Sequence, residues 1–113
     1  MQIVHKKDSE EHKNTKSCAA YEYPMNKKNI TGALVNIDGR CLDIGYAVNL
    51  KCKEISYVIN GSGLIAIENK EISISERDLI LIDINEKYFW KGSMELFVSC
   101  TPSWLINQHK YIK

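Results

Sequence analysis

Residues Lys51–Gly63 read KCKEISYVINGSG. Glu54 opens a run in which apolar and hydroxyl side chains alternate, and the run stops at Asn60-Gly61-Ser62-Gly63. Alternation with a period of two marks a strand covered on one face, and Asn-Gly is a strong short-range turn signal. The stretch therefore reads as a strand followed by a turn, with a carboxylate where the strand begins. That carboxylate has two readings. It is either a buried group in a ligand site, with its pKa raised by desolvation, or a rim residue paired with Lys51, Lys53 or Arg40.

The same texture extends on both sides. CAAYEY, GALVNI, LDIGYAVNL, LIAIEN, EISIS, DLILIDI, KYFW and MELFVSC are short runs rich in Ile, Val, Leu and Tyr. Turn signals separate them: Pro24, Asp38-Gly39, Asn69-Lys70 and Gly92-Ser93. Evenly spaced short strands with such punctuation predict an all-β sandwich or barrel. No long stretch keeps a 3.6-residue period with caps, so helix is expected to be minor. In EISIS, Ile72 and Ile74 share one face and the polar residues take the other. DLILIDI is apolar on both faces from Leu79 to Ile82 and needs a second cover, which in so short a chain points to a homodimer.

At 113 residues the chain fits one domain with its own core. Its 44% hydrophobic and 26% charged residues are the balance of a globular protein, which excludes disordered and fibrous classes. A net charge of +1 gives no general pull toward nucleic acid or acidic lipid, and neither is expected as a partner. No apolar run reaches the ~20 residues that cross a bilayer, and the basic-then-apolar plan of a signal peptide is missing, so a cytoplasmic location is expected. Cys18, Cys41, Cys52 and Cys100 form no CxxC pair and are expected to be free thiols. The three histidines, His5, His12 and His109, lie in the two end segments; His109 beside Lys110 reads as exposed, with a fold back toward the site as the alternative.

From Gly32 to Trp104 the sequence resembles the cupin family of jelly-roll barrels. Glu54 and Gly61 keep the spacing of glutamate and glycine in the first cupin motif. The motif's two histidines fall on Val48 and Leu50, or on Ala47 and Asn49 in the other register. The second motif's positions hold Arg77, Asp83, Asn85 and Tyr88, and the Thr101-Pro102 exit with Trp104 is of a kind many small cupins share. The resemblance implies a single-domain cupin β-barrel over residues 18–104, with a charged lead-in at 1–17 and a tail at 105–113. It also implies that one metal ligand of four survives, so neither a metal nor another cofactor is expected.

In the motif register Glu54 and Tyr88 point into the barrel and are the candidate catalytic pair. Trp90 shares a face with Tyr88, and an indole beside a phenol suits stacking on a sugar or flat ring. Asn49 stands at a former ligand position. Cys52 lies near Glu54, and Arg40 at the barrel mouth offers a planar fork to an anion. These four are the candidate ligand-binding residues. The expected function is a metal-free cupin holding a sugar-like or carboxylate ligand. Two alternatives stand beside it: a sugar or keto-compound isomerase or epimerase using Glu54 and Tyr88, and a structural protein whose barrel is filled by its own side chains.

Overall fold

The computed structural model describes residues 1–113 as nine strands and two single 3-10 turns, Lys6–Asp8 and Ile106–Gln108. The strands are β1 (Glu10–Thr15), β2 (Cys18–Tyr23), β3 (Thr31–Cys41), β4 (Tyr46–Asn49), β5 (Lys53–Ile67), β6 (Lys70–Ser75), β7 (Leu79–Ile82), β8 (Lys87–Thr101) and β9 (His109–Ile112). Every pairing is antiparallel. β8 is the hub: one edge takes β3 and, at its start, β4, while the other takes β5 along its length. β5 in turn carries β7 and β6 on its far edge. Curling of this sheet closes a barrel around a core that includes Val58, Ile65, Ile82 and Leu96, each at most 1% exposed. No helix is long and apolar enough to cross a membrane.

Three expected turns are not turns. β3 runs unbroken through Asp38-Gly39, β5 through Asn60–Gly63 and β8 through Gly92-Ser93. The glycines lie in one row, Gly39 opposite Gly92 and Gly92 opposite Gly63, across three neighbouring strands. A Cβ on Gly92 would stand 2.5 Å from the Gly63 Cα and 2.6 Å from the Ser62 carbonyl oxygen, and φ is +142° there. Backbones approach this closely only without side chains. The glycines therefore serve as a shared bend that lets long strands pass around the barrel. Local turn chemistry and this cross-strand row have the same sequence signature. The turn expected at Asn69-Lys70 is a hairpin between β5 and β6, made by Glu68 and Asn69, which both have positive φ, as a tight two-residue turn requires.

The end segments also join the sheet. β1 pairs with β2, and β9 pairs with β4 with Asn49 opposite His109. β1 carries no apolar face because it is an edge strand, exposed along nearly its whole length; charged edges of this kind prevent further pairing. Cys18 and Cys41 are disulfide-bonded across β2 and β3, with Cα atoms 5.0 Å apart, which corrects the expectation of four free thiols. The chain's 23-residue separation between them corresponds to about 3 kcal/mol of loop-closure stabilisation. Cys52 and Cys100 are free and buried. On β7 the inner residue Ile82 is fully buried, whereas Leu79 and Leu81 are 65% and 59% exposed.

Candidate functional site

Strand alternation directs every second side chain into a cavity of about 220 Å³. β2 contributes Cys18, Ala20 and Glu22, and β3 contributes Thr31, Ala33 and Val35. Small residues on these strands leave the space that larger ones would fill. The opposite walls are aromatic: Tyr88 and Trp90 from β8, Tyr111 from β9, and Trp104 from the segment before it. Tyr88 and Trp90 meet edge to face at 6.3 Å. Trp104 is seated by its backbone N–H, which donates to Thr31 Oγ1 at 3.3 Å.

Glu54 lies in the cavity wall, 5% exposed. Ser56 Oγ donates to its Oε2 at 3.0 Å. Its Oε1 accepts from Asn49 Nδ2 at 3.4 Å, the Tyr88 hydroxyl at 3.5 Å and the Cys100 thiol at 3.8 Å. Burial raises the Glu54 pKa, and these donors partly offset the rise. Burial and the nearby Glu54 push the Tyr88 phenol well above its ordinary value, and the Cys100 thiol is pushed up by its hydrogen bond with Cys52 and by burial. Both groups therefore keep their protons and act as donors.

The direction of this network is fixed from one end. The Lys51 backbone N–H donates to Gln108 Oε1 at 3.1 Å, and a backbone N–H can only donate. Gln108 Nε2 must then donate to Asn49 Oδ1, at 3.3 Å, and Asn49 presents its amino group to Glu54. His109 Nδ1 lies 2.8 Å from the same Asn49 oxygen. Only a protonated Nδ1 suits that contact, so Nε2 holds the free lone pair. Burial pushes His109 down to about 4, and the ring is neutral near pH 7. The Trp104 indole N–H is also directed at Nδ1, from the longer distance of 3.4 Å.

The structure thus brings Glu54, Tyr88 and Asn49 into one cluster, with Trp90 on the same cavity wall. It does not bring in Arg40. The two terminal nitrogens of Arg40 donate to the Leu42 and Gly45 carbonyls at 2.8 and 2.9 Å, and its plane lies 3.8 Å over Phe89. Cys52 is fully buried beside Cys100 and does not line the cavity. Ser56, Cys100 and Gln108 are not among the residues expected from the sequence, and His109, expected to be exposed with a fold back toward the site as the alternative, is half-buried against Asn49. Ser56 was accessible to the period-two rule, being two residues from Glu54. Gln108 and His109 reach Asn49 across 59 and 60 residues, and no local pattern announces that.

A divalent metal, which the cupin resemblance brings to mind, does not fit here. Both Glu54 oxygens already face N–H, O–H or S–H donors, and a cation would meet those protons instead of lone pairs. No histidine contacts Glu54.

No family model matches the chain, and no curated protein matches its sequence. Solved structures do match the fold. Pac13 of Streptomyces, a nucleoside dehydratase, superposes with a TM-score of 0.90 at 18% identity, covering 100% of this chain and 92% of that one; variants of it are solved with uridine. An RmlC-like cupin from Shewanella frigidimarina gives a TM-score of 0.73 at 12% identity, over 91% of this chain and 92% of its own. An ectoine synthase from P. lautus gives 0.72 at 16%, over 100% and 91%. The fold is the all-β cupin jelly-roll barrel.

Proposed function

We propose that the protein is a small-molecule-binding barrel, working without a catalytic metal and holding a polar, ring-bearing ligand beside Glu54, Tyr88 and Trp90. The observation that carries this is an aromatic-walled cavity with one buried carboxylate in its wall, held by Ser56 and Asn49. Apolar walls with a few fixed polar groups are the common plan of ligand sites. A barrel filled by its own side chains would lack the cavity. The sugar-like ligand expected from the sequence suits the stacking walls; the carboxylate ligand has no lysine or arginine partner among the lining residues.

Catalysis is the second reading, and it rests on Glu54. A carboxyl whose pKa is raised by burial, next to the Tyr88 phenol, has the makings of the proton-transfer pair of an isomerase or epimerase. A homodimer is proposed from the outer face where Leu79 and Leu81 lie beside Tyr57 and Ile55 of β5, with Phe97 of β8 opposite Tyr57; all five are exposed. For location, the cytoplasm expected from the sequence stands against the Cys18–Cys41 bond, since disulfides persist mainly in oxidising compartments.

The test is a titration of wild type and Glu54→Gln with uridine, which Pac13 variants hold, and with simple sugars. The amide is nearly isosteric, so the fold should persist while affinity drops about tenfold, the loss of one charged hydrogen bond. Equal affinity in both proteins would remove Glu54 from the site.

A further inference from the structure

We infer that the cavity takes an uncharged or amine-bearing ring and discriminates against its phosphorylated or carboxylated counterpart. This rests on the small-molecule reading above and adds the charge of the ligand.

Three carboxylates line the cavity, Glu10, Glu22 and Glu54, and no lysine or arginine does. A phosphate or carboxylate taken from water needs charged or multiple N–H donors to replace its hydration. Here the donors near Glu54 are already committed to that carboxylate, and Arg40 is committed to two backbone carbonyls. Glu10 and Glu22 face each other directly across β1 and β2. Like charges so placed repel, and the side chain paired with them is His12, 3.8 Å from Glu10 and 3.6 Å from Glu22. The rim therefore repels an anion and gains from a cation. Below it, the rings of Trp90 and Trp104, both lining the cavity, favour an uncharged ring. An amino group on that ring would be placed among carboxylates and aromatic faces, both of which attract it.

The experiment uses two matched series: glucose, glucosamine, glucose 6-phosphate and glucuronate, and adenosine with its 5′-amino-5′-deoxy and 5′-phosphate forms. Each is titrated into the full chain at low salt, with tryptophan fluorescence as the readout, and into a Glu10→Gln/Glu22→Gln double variant. We expect neutral and amine members of at least one series to bind at least tenfold more tightly than the anions, with the gap narrowing several-fold in the double variant. An anion binding as well as its neutral parent would overturn the charge inference and leave the small-molecule reading intact. A gap that persists unchanged in the double variant would overturn its assignment to the rim. A cavity that responds to none of these compounds would overturn both.

Discussion

Glu54 and His109 sit on one hydrogen-bonded network but shift in opposite senses, and the consequence for stability has a definite sign. Burial brings His109 from 6.5 down to about 4. Between those values the unfolded chain binds a proton that the folded chain refuses, so this contribution is full above pH 6.5 and is lost as pH falls through about 4. Glu54 is the reverse. Its folded pKa lies above the ordinary 4.5, so its contribution is full below that value and is lost as pH rises through the raised one. Melting temperatures between pH 4 and pH 8 should show His109→Gln flattening the acid limb and Glu54→Gln flattening the rise-dependent loss above 4.5. Profiles identical to wild type would detach these groups from the linkage. Asn49 joins them, and its importance was half legible: the motif register placed it at a ligand position, whereas its partners Gln108 and His109 come from a strand pairing that the charged, polar tail does not advertise.

Strands were legible through alternation, and their ends were not. β7 follows the period-two pattern, with Ile82 buried and Leu79 and Leu81 exposed, whereas on β6 only Ile74 is buried and Ile72, on the same face, is 50% exposed. β3, β5 and β8 are each longer than their apolar runs because Gly39, Gly63 and Gly92 read locally as breaks and act non-locally as a row. Gly92→Ala should cost about 2–4 kcal/mol, since the added methyl meets backbone atoms on β5 and the φ of +142° disfavours any side chain. Ser93→Ala, one residue on, should stay within about 0.5 kcal/mol. Denaturant melts of the two variants make the comparison; equal costs would show that Gly92 is an ordinary strand residue. β1 escaped notice for a related reason. An exposed edge strand has no apolar face to display, and its charges read as a solvated lead-in.

For the whole molecule, the outer face of β7 supports the proposed homodimer. Leu79, Leu81, Ile55, Tyr57 and Phe97 are exposed apolar side chains on neighbouring strands, and contiguous exposed apolar residues mark contact surfaces. Light scattering at micromolar concentration should give twice the chain mass for wild type and one chain mass for Leu79→Glu/Leu81→Glu; a monomeric wild type would contradict the dimer. The cupin barrel itself was legible from the spacing of Glu54, Gly61 and Tyr88 even though the motif histidines are replaced. What the barrel holds was not, because the cavity is built by residues from seven strands and the segment before the last. The chain has two tryptophans, Trp90 and Trp104, and both line that cavity. Their two indole N–H resonances therefore report on the cavity directly. Titration with an uncharged ring ligand is predicted to shift both resonances saturably in wild type and about tenfold less readily in Glu54→Gln; resonances that stay fixed while the ligand perturbs other parts of the surface would contradict a binding site inside the barrel.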